Sequence, residues 1–163
     1  MKPSISVVMA CYNETKNLER GVLQEIQDFF DSQSYDWEVV ITDDLSTDSS
    51  LKLLQKFVTN HPHFRILKLD KKGGKPGGIW NSIQHAKHPI VLMTDIDQST
   101  PITEVNKLYP FFDQDYDVVI GSRGMGRDGY SLLRKIGGPI FLSLRRLVLL
   151  PNIVDTQCGF KMF

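Results

Sequence analysis

No stretch of the 163 residues reaches the about 18–20 consecutive apolar positions that a membrane-crossing helix needs. Histidine is scarce. The four (His61, His63, His85, His88) fall in or beside expected turns and form no HExxH pair, which excludes a zincin-type metal site. The two cysteines, Cys11 and Cys158, make no CxxC pair and no metal spacing. They read as reduced thiols of a cytosolic protein. No charged leader with an apolar core opens the chain; Lys2-Pro3 runs straight into a strand pattern, so no signal peptide is expected. Net charge is zero, so nucleic acid is not an expected partner. The glycines near residue 75 are not followed by Gly-Lys-Ser/Thr at the spacing of a phosphate-binding Walker loop.

What is present is a repeated alternation. Ser4–Ala10, Trp37–Thr42, Phe64–Leu69, Pro89–Met93 and Asp117–Ile120 are short β-branched or apolar runs, read as buried strands. Between them lie amphipathic stretches at helical spacing: about 16–30, 47–59, 79–86 and 103–112. Strands alternating with helices predict a doubly wound, mostly parallel α/β sheet in a single domain. Hydrophobic content of 41% is ordinary for such a domain.

Acidic residues gather where strands end. Asp43-Asp44 closes the second strand and Asp95-Ile96-Asp97 closes the fourth. Alternation along a strand would aim Asp95 and Asp97 the same way. The carboxyl edge of such a sheet is where ligands bind. Two close carboxylates repel, and a divalent cation shared with phosphate oxygens would resolve that conflict. The competing reading is a helix cap, with Asp97 or Ser99 capping and Pro101 in the first turn. Residues 70–78, DKKGGKPGG, could wrap an anion through backbone N–H groups, or could be a plain surface loop.

Charge is unevenly spread. Residues 1–122 hold 12 Lys/Arg against 17 Asp/Glu, a balance of −5, and residues 123–163 hold 7 against 2, a balance of +5. The basic part contains YSLLRKIGGPIFLSLRRLVLLP (130–151), whose glycines and proline should break it into two short amphipathic helices. Such a pair suits the interface of an anionic membrane, or a core-packing helix with a solvated basic face.

The motifs now form a set. VVMACYNE (7–14) resembles the VVIPAYNE opening of the inverting glycosyltransferases of family 2, which have the GT-A fold. TDDLSTDSS (42–50) resembles their VDDGSTDGS, the Gly74-Lys75 segment their GKGGA, and TDIDQS (94–99) their DxD metal motif. IGSR (120–123) and DTQCGFK (155–161) resemble the polyprenyl-phosphate branch, above all the dolichyl-phosphate β-glucosyltransferases. The QxxRW motif of processive synthases is missing. Two further departures are Pro76 in the glycine segment and Leu45 where the family has glycine, which should strain that turn.

The resemblance implies a GT-A domain over 1–163, with a Rossmann-like nucleotide-sugar half (1–122) and an acceptor- and membrane-facing part (123–163). The family's C-terminal continuation is not in this sequence, so a C-terminally truncated domain is expected. The implied reaction is metal-dependent inverting transfer of a hexose, glucose first, from a UDP-sugar to a polyprenyl or dolichyl phosphate. Alternatives are a GDP-mannose-dependent polyprenyl-phosphate mannosyltransferase, a soluble polysaccharide glycosyltransferase, or an inactive nucleotide-binding fragment. Donor-binding residues would be Ala10, Tyr12, Asn13, Glu14, Asp44, Lys75, Asp95 and Asp97. Asp97, with Asp95, would ligate Mg2+ or Mn2+. Asp97, Arg123, Asp155 and Lys161 would serve catalysis, and Arg127, Arg134 and Lys135 the lipid phosphate. The implied location is peripheral, on the cytoplasmic face of a membrane.

Overall fold

The two most β-branched runs form the two central strands. In the computed structural model, which describes residues 3–114, 116–122, 155 and 157–163, β1 spans Ser4–Cys11 and β2 spans Asp36–Asp43. Val7, Val8, Val39, Val40 and Ile41 are fully buried. They lie on both faces of the sheet, as expected when helices cover each side. β2 pairs in parallel with β3 (Phe64–Lys68), and β1 pairs in parallel with β4 (Ile90–Met93). The expected mostly parallel α/β sheet is found, among the described residues with six strands in the order β3-β2-β1-β4-β6-β5. β5 is Val119–Ile120; β6, Lys161–Met162, runs antiparallel to β4. Since β1, β2 and β4 run the same way, their carboxyl ends meet at one edge.

Gly21 splits the first expected helix. It sits at φ +93, a left-handed conformation that glycine takes without a Cβ penalty. The result is α1 (Thr15–Arg20) and α2 (Val22–Asp31). α2 buries Val22, Leu23, Ile26 and Phe30. Phe30 stacks on Trp37 of β2, with ring centroids 5.1 Å apart. Each such side chain contributes about 1.5–3 kcal/mol on full burial. α3 (Ser50–Val58) adds the fully buried Leu54.

The glycine segment is not an open loop. α4 begins within it and spans Gly74–Gln84, so Lys75 and Pro76 stand in its first turn. Proline is tolerated there, because first-turn N–H groups have no helical partner. A second close approach explains Gly78. A Cβ on Gly78 would stand 2.8 Å from the Cβ of Ala10, so α4 rests directly on the end of β1. The stretch after β4 is a 3-10 turn (Ile102–Glu104), α5 (Val105–Leu108) and a second 3-10 segment (Tyr109–Gln114), where one helix was expected.

The amino edge is locked by a buried charge. Glu38 accepts hydrogen bonds from the Ser6 hydroxyl (2.8 Å), the Lys87 N–H (2.6 Å) and Arg65 (3.0 Å). Burial pushes its carboxyl upward, but these donors outweigh burial and hold it below the usual carboxylate range. By internal packing the chain divides into two units, residues 1–119 with 159–163, and residues 120–158. The basic stretch 130–151 lies outside the described residues.

Candidate active site

Four chain segments reach the carboxyl edge and line a cleft of about 230 Å³. β1 supplies Ala10 and Cys11, and the turn after it Tyr12 and Glu14. Asp44 follows β2; Asp95, Ile96 and Asp97 follow β4; Lys75 comes from α4. Of the eight residues expected to bind a donor, seven line this cleft; Asn13 does not.

The acidic stretch after β4 corrects the strand argument. β4 stops at Met93, so alternation does not carry through to Asp95 and Asp97. A turn presents them instead. The Asp95 carbonyl accepts the Gln98 N–H (3.2 Å) and the Gln98 side-chain amide (3.0 Å), with Gln98 itself at φ +50. Asp97 Oδ1 accepts the Ser99 N–H at 2.9 Å, and its carbonyl accepts from Arg20 of α1 at 2.8 Å. Neither Asp97 nor Ser99 caps the helical turn that follows. Asp95 Oδ1 forms an ion pair with Lys75 Nζ.

The two acids after β2 have different surroundings. Asp43 is wholly buried; its Oδ2 accepts the Ser46 N–H (3.2 Å), while Oδ1 has no hydrogen-bond partner. Asp44 is also buried, yet lines the cleft, with Oδ1 accepting the Gly73 N–H at 2.7 Å. One carboxylate oxygen therefore ties the start of α4 to the end of β2.

Asn13 works beside the cleft. It sits at φ +57, a conformation asparagine tolerates better than most residues. Its Oδ1 accepts the Thr47 N–H (2.8 Å), and its own N–H donates to Ser46 Oγ (3.1 Å). It stitches the turn after β1 to the loop after β2. Tyr12 is 43% exposed, and Lys72 Nζ stands 3.0 Å from its ring centroid. Glu14 Oε2 accepts from Asn17 at 2.6 Å.

Sequence reasoning missed Cys11 and Ile96 as lining residues, and named Lys72 only as part of the segment 70–78, not for its contact with Tyr12. Cys11 and Ile96 were legible by position, lying between residues already singled out. The Lys72–Tyr12 contact was not, since it is long-range. Burial, with the negative charge of Asp43, pushes the Cys11 thiol up to about 12. It is a neutral wall of the cleft, not a nucleophile.

Lys161 lies on β6 opposite Met93. Asp155 Oδ1 accepts the N–H groups of Gln157 (2.9 Å) and Cys158 (3.1 Å). Arg123, Arg127, Arg134 and Lys135 lie outside the described residues. Among the described residues, no three His, Cys, Asp or Glu side chains converge to cage a metal. Asp95 and Asp97 nevertheless offer the hard oxygen donors that Mg2+ or Mn2+ takes when phosphate oxygens and water complete its shell.

A mostly parallel sheet with an acidic cleft at its carboxyl edge has the architecture of the ligand-binding open α/β class. The family model Glycosyl transferase family 2 matches residues 6–163, and the chain belongs to that family. The dolichyl-phosphate beta-glucosyltransferase of Dictyostelium discoideum is 31% identical over 178 residues, covering 98% of this chain and 53% of that relative. The chain thus spans about half the length of the curated relatives it matches. Glucosyl-3-phosphoglycerate synthase from Mycobacterium tuberculosis superposes with a TM-score of 0.70 at 20% identity, over 98% of this chain and 56% of that one. A mannosyltransferase from Pyrobaculum calidifontis, solved with GDP-Man and Mn2+, gives 0.53 at 23% identity, over 65% and 31%. These neighbours share the GT-A fold.

Proposed function

We propose that this chain is the nucleotide-sugar domain of an inverting hexosyltransferase, which passes glucose from UDP-glucose to a polyprenyl phosphate of the dolichyl type. The observation that carries this is the convergence of Asp44, Asp95, Asp97 and Lys75 on one cleft. The names of the curated relatives support the acceptor and the sugar. The Asp44 carboxylate accepts an N–H of the base, as a carboxylate can from uracil or guanine. Tyr12 offers its ring to the base, and Glu14 flanks the ribose. Lys75, paired with Asp95, supplies positive charge where the diphosphate lies. Asp97, with Asp95, would hold Mg2+ or Mn2+, which as a Lewis acid would offset charge growing on the leaving diphosphate.

The acceptor needs no general base. A phosphate monoester has a second pKa of about 6, so near neutral pH it is mostly a dianion. Its oxygen attacks the anomeric carbon as the nucleoside diphosphate departs, and the protein has only to hold it in line and shield charge. Arg123, Arg127, Arg134, Lys135 and Lys161 are the cations proposed for that task, with Asp155 orienting the acceptor. The domain would then work at the cytoplasmic face of a membrane, on a lipid held there. No helix among the described residues is long and apolar enough to cross one.

The test is a radiolabelled transfer assay with UDP-glucose or GDP-mannose and a short polyprenyl phosphate. Glucose transfer, abolished by EDTA and reduced at least about a hundredfold by Asp97→Ala, is expected. Transfer that survives Asp97→Ala overturns the metal assignment. Preference for GDP-mannose overturns the sugar.

A further inference from the structure

The segment leading into the C-terminal strand lies with bare backbone against Asp95, one of the residues that line the cleft. β6 pairs with β4, with Lys161 opposite Met93 and Met162 opposite Leu92. Beyond the strand, Val91 and Phe163 exchange both main-chain hydrogen bonds, at 2.7 and 3.0 Å. This pairing brings Gly159 against the Asp95 carboxylate. A methyl carbon on Gly159 would overlap Oδ2 and stand 2.9 Å from Cγ and 3.1 Å from Oδ1. On the other oxygen Asp95 is held by Lys75. The carboxylate is therefore bounded by a lysine on one side and by bare backbone on the other.

The two partners differ in their freedom to move. The strand side is anchored: Phe160 is 1% exposed and Met162 is fully buried. The Asp95 side chain is one-third exposed and can rotate. A side chain at 159 would thus be accommodated by turning Asp95 away, not by withdrawing the strand. The fold would survive, and the orientation of Asp95 would not.

We propose that Gly159 is a positioning residue for donor binding: its missing side chain lets the C-terminal strand close on Asp95 and aim that carboxylate into the cleft. This rests on the role given above to Asp95 as a donor and metal contact. Gly159 touches neither ligand, and acts only through Asp95.

A double-mutant cycle tests it, with binding of UDP plus Mn2+ followed by calorimetry on the full chain and melting followed in parallel. Asp95→Ala and Gly159→Ala should each weaken binding by roughly tenfold or more, as changes around a metal ligand do. The double variant should bind no more weakly than Asp95→Ala alone, because the side chain that Gly159 positions is already gone. Penalties that multiply, or a folded Gly159→Ala that binds like the parent, overturn the proposal. Should Gly159→Ala not fold, the double variant must melt with Asp95→Ala. If it is unfolded too, glycine is needed for another reason and the proposal fails. Unchanged binding in Asp95→Ala would instead strike the donor role of Asp95, and this proposal with it.

Discussion

Leu45 shows how a single residue carries a cost that its neighbours absorb. It follows the buried Asp43-Asp44 pair and sits at φ +58. An L-residue there loses about 1–2 kcal/mol to contact between its Cβ and the backbone. The turn keeps this shape because both flanks are fixed: the Asp44 N–H donates to the Cys11 carbonyl (2.9 Å), and Asp43 holds the Ser46 N–H. Leu45→Gly should relieve the strain, less about 0.4–1 kcal/mol for the freer unfolded chain. The variant is expected to match the parent or exceed it by up to about 1.6 kcal/mol. Leu45→Val, branched at Cβ, should fall below the parent, because β-branched residues are the least tolerant of positive φ. Urea midpoints measured side by side would decide, and equal midpoints for the two variants would remove the strain account. The strain was legible in the sequence because leucine replaced a family glycine. Asn13 gave no such signal: its YNE setting suggested a ligand contact, and only the fold showed its amide committed to Thr47.

At the scale of elements, legibility followed locality. β1, β2 and β4 were readable because each is a dense β-branched run, and burial on two faces demands that composition. Two residues of β6 carry no such pattern; their strand exists because Leu92 and Met93 offer an open edge to a distant segment. The start of α4 was hidden by glycines whose packing reason lies elsewhere in the chain. Gly78 meets Ala10, whereas a Cβ on Gly77 would only reach ordinary contact with Leu69 at 3.9 Å. Gly78→Ala should therefore overpack the helix–strand contact and lose about 1–3 kcal/mol. Gly77→Ala should gain about 0.5–1 kcal/mol from helix propensity. Thermal melts that moved the same way would refute the distinction. The join between α1 and α3 carries its own pH signature. Asp48 accepts from the Thr15 hydroxyl (2.6 Å), the Thr15 N–H (3.2 Å) and the Ser50 N–H (2.9 Å). Slight burial pushes its carboxyl up, but the bonds from Ser50 and Thr15 prevail and lower it from 3.8 to about 2. A carboxyl lowered in the folded state stabilises above its unfolded value and loses that contribution as pH falls through the folded one. Melting points should thus drop between about pH 5 and pH 2 more in the parent than in Asp48→Asn.

For the whole molecule, the deciding property is that the acids of the cleft and Lys75 come from separate segments, joined only by folding. The cleft exists in the native state alone, so a ligand that fills it must stabilise the fold. At a hundredfold excess over Kd, such a ligand adds about 2.7 kcal/mol. For a chain of this size each kcal/mol raises the melting point by about 2–4 °C. UDP with Mn2+ should therefore raise it by about 5–10 °C. Four acidic groups, Glu14, Asp44, Asp95 and Asp97, line that cleft, and among the described residues Lys75 is the one basic side chain lining it. Without a cation, repulsion between carboxylates and diphosphate outweighs a single lysine already paired with Asp95. EDTA should accordingly cancel most of the shift, and so should Asp97→Ala in the presence of Mn2+. Asp44→Ala should cancel it by another route, loss of the base contact, and should do so for UDP and GDP alike. A full shift by UDP in EDTA would mean that the diphosphate is held without a metal, and that Asp97 serves only to fold its own turn through the Ser99 N–H.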